Sequence, residues 1–315
     1  MYILIYVDDI LLTGNSSSDI KRLLENLHSR FQMRELGSLS QFLGIQSTTT
    51  ATGVILHQKL YAQRILERAG MQNAKPVPSP SSCKTIITTK SNEPYENPHM
   101  YRHLLGSLQY LTLTRPDIQF TVHSLSQHMH HPLKQHFEGL KRLLRYILGT
   151  LQLGLPLDRG PLQLKGFSDA DWASNTDDRR SISGYCNYLG NSLISWQVKK
   201  QTNVARSSTE AEYRSLAAEA AEVIWLRRLL EDFHTPQTTP TIVYCDNTSA
   251  IALANNPIYH ARTKHIDVDC HFIRDSIHTN HLLVHHIYSS APTIKRLTSS
   301  RSRFLSTSSK TLLPN

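Results

Sequence analysis

Cysteine is scarce in this 315-residue sequence, and its spacing indicates neither a disulfide framework nor a zinc module. The four cysteines lie far apart, with no CxxC pair among them: Cys83, Cys186, Cys245 and Cys270. No secretory signal is recognisable. We therefore expect reduced thiols in an intracellular protein, cytoplasmic or nuclear, that is not secreted.

Long hydrophobic runs are also lacking. The apolar stretch at residues 1–12 carries Asp8 and Asp9 and falls short of the roughly 20 apolar residues that a membrane helix needs. We therefore expect no membrane segment.

Acidic residues are the minority among the charged ones. The chain has 34 Lys and Arg against 25 Asp and Glu, a net charge of +9. Such an excess favours a polyanionic partner such as nucleic acid, although the same charge could serve solubility alone. Charge by itself does not identify a nucleic-acid enzyme.

The first half of the chain shows three kinds of pattern. Residues 2–12 predict two strands that meet at Asp8 and Asp9, and residues 18–31 have helical periodicity. Residues 73–98 contain five prolines among polar residues, which predicts a linker. Residues 99–149 predict helices, with breaks near the prolines at 116 and 132.

Short strands begin near Leu162 and are followed by a long helix, a fourth strand and further helical segments. Ser207 with Glu210 three residues later forms a capping box at the start of the long helix. This order predicts an α/β unit of about 130 residues.

Acidic residues stand at the ends of strands and on the adjacent helix of this unit. Such positions converge at one edge of a sheet, and clustered carboxylates suit two magnesium ions that assist phosphodiester hydrolysis. Considered singly, each acid could equally be a cap or turn residue. The four candidates are Asp169, Glu212, Asp246 and Asp267, and their possible rivals are Asp171, Glu210 and Asp269.

Four motif strings carry a specific resemblance. The run GFSDADWASNTDDRRSISGYC, with the SSTEAEYRSLAAEAAEVIWL helix, VYCDNTSAIALANNP and HARTKHIDVDCHFIRD, closely resembles the ribonuclease H domain of copia-type LTR retrotransposons. The resemblance implies a ribonuclease H-like mixed sheet with flanking helices. It also implies that Asp169, Glu212, Asp246 and Asp267 bind two magnesium ions, for which manganese can substitute, and that the RNA strand of an RNA–DNA hybrid is cleaved.

The resemblance extends upstream. YVDDILLTG is similar to the aspartate-pair motif of reverse transcriptase, and residues 101–150 resemble the connection that follows the polymerase. Asp8 and Asp9 would then bind metal in an incomplete polymerase site, because the family's third aspartate lies before this motif. We expect no polymerase activity from this chain alone, unless a fuller Pol chain supplies the missing palm.

Together these patterns divide the chain into five parts. The expected order is a C-terminal remnant of the reverse-transcriptase palm with the start of the thumb (1–72), the linker (73–98), a helical thumb or connection (99–153), the ribonuclease H domain (154–290) and a disordered basic tail (291–315). A nucleic-acid-binding remnant without catalysis and a decayed product that never folds are the alternatives.

Other side chains have weaker predicted roles. Basic residues near the first strands are expected to contact phosphates of the hybrid, namely Arg179, Arg180, Lys199 and Lys200. Trp172 and Trp196 are expected in the core.

Overall fold

The computed structural model describes residues 1–81, 92–175, 177–256 and 267–288. The middle of the predicted linker and the whole predicted tail, 291–315, lie outside the described residues. Within them the secondary structure is mixed α/β, as the sequence predicts. None of the helices in these ranges is both long and apolar enough to cross a membrane.

An antiparallel hairpin opens the chain. Strands β1 (Tyr2–Tyr6) and β2 (Asp9–Thr13) pair in register, with Tyr6 opposite Asp9, and helix α1 (Ser17–His28) follows. The apolar side chains of β1 are exposed, and α1 has no buried residue. The predicted hairpin with acids at its turn is therefore present, with most of its apolar surface uncovered.

A four-stranded antiparallel sheet follows, which the sequence patterns did not predict. Its strands are β3 (Gln41–Phe42), β4 (Ile45–Thr49), β5 (Gly53–His57) and β6 (Leu155–Asp158), in that order. Strand β6 lies within the predicted range 154–290 but pairs with β5, from Gly53 opposite Asp158 to Leu56 opposite Leu155. The chain thus returns to this sheet after the helical segment.

The helical segment contains α2 (Lys59–Arg68), α3 (Pro98–Leu111), a 3₁₀ turn (Pro116–Ile118), α4 (Gln119–Ser126) and α5 (Lys134–Leu148). The predicted breaks at the prolines are confirmed. Leucines of α3 and α5 form one buried core with α2. Beside this core, the fully buried Arg115 makes two hydrogen bonds with Asp117, at 2.7 and 2.8 Å.

A five-stranded mixed sheet carries the second half of the chain. Its strands are β7 (Leu164–Asp171), β8 (Ile182–Leu189), β9 (Ser192–Lys200), β10 (Thr241–Cys245) and β11 (Leu282–His286), arranged β11-β10-β7-β8-β9. Strands β7, β8 and β9 are antiparallel, whereas β10 lies parallel to both β7 and β11.

Helices cover this sheet. The 25-residue helix α6 (Ser208–Asp232) packs on β7 and β8, and α7 (Thr248–Asn255) and α8 (Asp267–His278) pack against α6. A core of small and aliphatic side chains, together with Tyr213, fills the interface.

One core prediction is wrong. Trp172 is 48% exposed, because it lies in the turn after β7, where its indole nitrogen donates a hydrogen bond to the Ala205 carbonyl at 3.0 Å. Trp196 is half-buried and packs on a small cluster around Phe167 and Cys186, in the manner predicted.

Candidate metal-binding carboxylate site

Two of the candidate acids meet at one edge of the five-stranded sheet because their strands are parallel neighbours. Asp169 lies near the carboxyl end of β7, and Asp246 directly follows β10. The pairing places Tyr244 opposite Phe167, so the same register extended by two residues sets Asp246 beside Asp169. This convergence is what the sequence pattern predicts for strand-end carboxylates.

Helix α6 supplies the third acid. Ser207 caps the helix by accepting a hydrogen bond from the Glu210 backbone nitrogen at 3.2 Å. Further along, Ser215 donates from its hydroxyl to the Asp169 carbonyl at 2.8 Å, which fixes the helix against β7. Glu212 lies between these two contacts and accepts a hydrogen bond from the Ala170 backbone nitrogen at 3.1 Å.

Glu212 is surrounded by negative charge in a buried setting. Burial, with smaller contributions from Asp169 and Asp246, raises the pKa of this carboxyl to about 9. Only 5% of its surface is exposed. A carboxylate held in this way is costly as plain structure, whereas a divalent cation would remove the repulsion among the acids.

A thiol completes the described group. The Sγ atom of Cys245 lies 3.9 Å from Glu212 Oε2, and ligand atoms of Glu212, Cys245 and Asp246 all lie within 4.8 Å of one another. Burial and the neighbouring acids raise the pKa of the Cys245 thiol to about 12. A protonated thiol is a poor ligand for magnesium, so the hard carboxylate oxygens are the donors that fit such an ion.

The rival acids have different surroundings. The Glu210 carboxylate contacts residues at the start of the helix: it accepts a hydrogen bond from the Arg206 backbone nitrogen at 2.8 Å and forms an ion pair with Arg214 at 2.9 Å. Asp171 ends β7 two residues beyond Asp169, and partial burial raises the pKa of its carboxyl. Glu212 rather than Glu210 therefore faces the strand-end acids.

The last candidate is now placed on a helix. Asp267 is the first residue of α8; it is exposed and lies 3.8 Å from the His271 ring nitrogen. Asp269 is half-buried, and burial raises its pKa while the nearby Arg214 lowers it. Asp267 and Asp269 thus both lie in the first turn of a helix, and the residues just before it, 257–266, lie outside the described ranges.

Asp8 and Asp9 are not brought to this edge. Both are exposed at the turn of the β1–β2 hairpin, where Val7 adopts a left-handed conformation with φ of 49°. Within the described ranges, the only group of three or more potential ligands is Glu212, Cys245 and Asp246. The described residues add no further acid to the hairpin pair.

Sequence reasoning overlooked several residues that shape this edge. Cys245 lies beside Glu212, Ser215 anchors α6 to β7, and Glu219 is fully buried one turn further along the helix. Ser215 and Glu219 follow Glu212 at helical spacing, so their common face was readable. Cys245 precedes Asp246 in the sequence, but nothing there indicated that the thiol would lie against Glu212.

The chain matches retroelement proteins over most of its length. Residues 1–83 match the family described as reverse transcriptase (RNA-dependent DNA polymerase). Across 91% of the chain, it is 45% identical to the retrovirus-related Pol polyprotein from transposon RE1 of Arabidopsis thaliana, and across 90% it is 39% identical to that from transposon TNT 1-94 of Nicotiana tabacum.

These matches define the family. An uncharacterised mitochondrial protein of Arabidopsis thaliana is 47% identical over 226 residues, which are 71% of this chain and 94% of that protein. The chain belongs to the retrovirus-related Pol polyproteins of copia-type transposons. It spans only 20% of the RE1 polyprotein and 22% of the TNT 1-94 polyprotein.

Solved structures of a reverse transcriptase and a ribonuclease H also match parts of the chain, each with a TM-score below 0.5. One is a foamy viral protease-reverse transcriptase in complex with double-stranded DNA. The match spans 92% of this chain and 46% of the foamy viral chain, with a TM-score of 0.48 and 13% identity. Another is a ribonuclease H1 in complex with an RNA/DNA hybrid. The match spans 40% of this chain and 86% of the ribonuclease H1 chain, with a TM-score of 0.31 and 10% identity.

Proposed function

We propose that the five-stranded sheet and its helices, within residues 154–290, are a ribonuclease H-like domain that cleaves the RNA strand of RNA–DNA hybrids in a metal-dependent, endonucleolytic reaction. The observation that carries the proposal is the position of Glu212. It reaches from α6 to the sheet edge where Asp169 and Asp246 lie at the carboxyl ends of parallel strands, and burial, with smaller contributions from these two acids, raises its pKa.

The donor set fits divalent metal ions. Asp169, Glu212 and Asp246, joined by Asp267 as the fourth ligand, would hold two magnesium ions, for which manganese could substitute. When bound, such ions supply a water activated for attack on a phosphodiester and charge stabilisation for the leaving oxygen.

The protein's own groups prepare this edge. The Ala170 backbone nitrogen donates to Oε1 of Glu212, and the Ser215 hydroxyl donates to the backbone carbonyl of Asp169, so the Glu212 carboxyl and the Asp169 backbone are each held by a hydrogen bond. Rigid placement of charge before the substrate arrives is the main contribution that a protein makes to such hydrolysis.

The N-terminal segment is not proposed to be catalytic on its own. We assign residues 1–72 to the palm and start of the thumb of a reverse transcriptase, and residues 99–153 to the connection. Asp8 and Asp9 are exposed on a hairpin without another described acid beside them, so these 315 residues should not extend a primer alone. Polymerisation would require a fuller Pol chain to supply the remaining palm.

A nucleic-acid-binding protein without catalysis is the second candidate. The net charge of +9 supports binding to a polyanion whether or not cleavage occurs. The two candidates predict the same salt-sensitive binding and differ only in whether the carboxylates matter.

Cleavage of a labelled RNA–DNA hybrid by the full chain, with and without magnesium, tests the proposal. Asp169→Asn should abolish cleavage by the whole-chain protein, since it removes a metal ligand without changing side-chain size. Asp275→Asn, which alters an exposed aspartate late in α8, is the matched control and should cleave normally. Binding without cleavage by the folded wild-type chain would instead establish the second candidate.

A further inference from the structure

The turn between β7 and β8 begins immediately after the strand that carries Asp169. Its described residues are 172–175 and 177–181, and they include the two neighbouring arginines Arg179 and Arg180. Both arginines are exposed, and the turn connects β7 and β8 at the end where Asp171 pairs with Ile182, two residues beyond Asp169. The sequence predicts that basic residues here contact phosphates, but it does not say which of them are free to do so.

Asn175 builds this turn. Its side-chain oxygen accepts hydrogen bonds from the backbone nitrogens of Asp177 at 3.0 Å and Asp178 at 3.2 Å. Its backbone carbonyl accepts from the Arg179 nitrogen at 2.9 Å, and its backbone nitrogen donates to the Arg180 carbonyl at 3.2 Å. Four hydrogen bonds to one residue make Asn175 the centre of the turn.

The basic residues of this region differ in their partners. Asp178 lies 2.7 Å from Lys200 Nζ and 3.7 Å from Arg180 Nε, so both cations have a carboxylate within the protein. Arg179 forms no ion pair within the described residues, and it is held at φ of 58°. Arg179 is therefore the cation of this turn that is available to an external anion, whereas Lys200 has a structural role.

The helical segment holds the turn from outside. Gln127, at the end of α4, accepts with Oε1 from Asn175 Nδ2 at 2.9 Å and from Lys200 Nζ at 3.2 Å. One helical turn earlier, His123 Nε2 accepts from the Lys200 backbone nitrogen at 3.2 Å. Burial lowers the pKa of His123, so a neutral ring with a free acceptor nitrogen suits this contact.

We propose that Gln127 is a positioning residue for a phosphate-binding turn: it fixes Asn175, and Asn175 in turn presents Arg179 to a backbone phosphate of the nucleic acid next to the carboxylate edge. The guanidinium suits this ligand because it donates two parallel hydrogen bonds to phosphate oxygens. The inference rests on the proposed substrate class, an RNA–DNA hybrid, but not on catalysis.

Binding measured without divalent cations separates this inference from cleavage. Fluorescence anisotropy of a labelled hybrid with the full chain in EDTA should show affinity reduced about 3- to 10-fold in both Gln127→Ala and Arg179→Gln. The double variant should bind no more weakly than Arg179→Gln, since the two residues act on the same contact. Arg179→Gln should also reduce the salt dependence of log Kd by about one ion.

Two further variants serve as controls. Gln127→Glu keeps an acceptor oxygen for Asn175 and Lys200, so amide exchange at residues 177–180 should stay at the wild-type rate. Gln109→Ala removes an exposed glutamine whose side chain bonds Ser126 rather than the turn, and it should also be unchanged. Faster amide exchange at residues 177–180 in Gln127→Ala, but not in Gln109→Ala, would show that the turn itself has loosened.

The outcomes distinguish the two proposals. Non-additive losses of affinity in a chain that never cleaves would support the phosphate-binding turn and contradict the nuclease. Normal affinity in Gln127→Ala, or losses that add fully in the double variant, would overturn the positioning role even if the wild type cleaves the hybrid.

Discussion

Glu219 and Asn187 face each other in the buried interface between α6 and β8, with the Asn187 side-chain nitrogen donating to Glu219 Oε2 at 3.3 Å. Neither residue has measurable solvent exposure, and among the described residues Asn187 Oδ1 and Glu219 Oε1 have no hydrogen-bond partner. Two acceptors cannot satisfy each other. A proton on Glu219 resolves both, because the acid would then donate to the amide oxygen while accepting from the amide nitrogen.

Glu219→Gln should therefore be more stable than the wild type, by a margin that grows as pH rises. Burial raises the pKa of Glu219 well above its usual 4.5. The protonated form therefore contributes its full stabilisation below pH 4.5, and this stabilisation is lost as pH rises toward the folded-state pKa. A glutamine keeps a donor at every pH. Its advantage over the wild type should grow by about 1.4 kcal/mol per pH unit within that window.

Urea unfolding of the wild type and Glu219→Gln from pH 5 to 8 measures this difference. Glu231→Gln, on the exposed surface of the same helix, controls for the loss of one negative charge. A stability difference that stays flat across this pH range would mean that Glu219 is ionised in the folded protein.

Gly166→Ala tests the same interface by sterics. A Cβ atom on Gly166 would lie 2.0 Å from Glu219 Oε1 and 3.1 Å from Asn187 Oδ1, both in fully buried side chains. We expect a loss of about 1–3 kcal/mol of unfolding free energy, because the Glu219 carboxyl would have to move within a fully buried interface. Thermal and urea unfolding provide the measurement.

Gly106→Ala is the matched control for that substitution. Gly106 lies within α3, and an added Cβ meets no atom within 4 Å. Alanine there should raise stability by about 0.5–1 kcal/mol through helix propensity. Equal effects of the two substitutions would contradict the close packing of Glu219 against β7.

The carboxylate edge could be predicted from sequence because its parts are local. Asp169 and Asp246 each follow an apolar strand, and the Ser207–Glu210 capping box fixes where α6 begins and hence where Glu212 lies. Strand order, cap and spacing are short-range signals. They were sufficient to bring three of the four predicted acids to one place.

Other features depend on contacts that sequence periodicity does not encode. The pairing of β5 with β6 joins residues about 100 positions apart, and β4 is too polar to read as a strand. Glu219 shares a helix face with Glu212 and Ser215, but the spacing does not show that a carboxyl on that face would be fully buried. Lys200 looked available to phosphate, whereas Asp178 and Gln127 already bind it.

Magnesium affinity should depend on pH through Glu212. Its pKa of about 9 means that the carboxyl carries a proton at neutral pH without metal, and cation binding must displace that proton. Each pH unit between 6 and 8 should therefore tighten magnesium binding by up to about tenfold. Isothermal titration calorimetry in buffers of different ionisation enthalpy would count the proton released.

Glu212→Gln is the corresponding variant. It should bind magnesium weakly and with a flatter pH dependence, since no proton remains at this position to be displaced. Glu210→Gln, two residues earlier, removes an acid that pairs with Arg214 instead of the strand-end acids. Its magnesium affinity should keep the wild-type pH dependence. Weak, pH-independent binding in Glu210→Gln, with wild-type behaviour in Glu212→Gln, would make Glu210 the ligand.

Asp267 and Asp269 can be separated by comparing catalysis with stability. Asp269 is half-buried, and burial raises the pKa of its carboxyl despite the nearby Arg214, so the folded protein disfavours its ionised form and Asp269→Asn should keep or raise the Tm while cleavage continues. Asp267 is exposed at the start of α8, beside His271, so Asp267→Asn should leave the Tm unchanged while hybrid cleavage falls by a factor of about 100 or more. Cleavage lost only in Asp269→Asn, at unchanged Tm, would assign the fourth metal ligand to Asp269 instead.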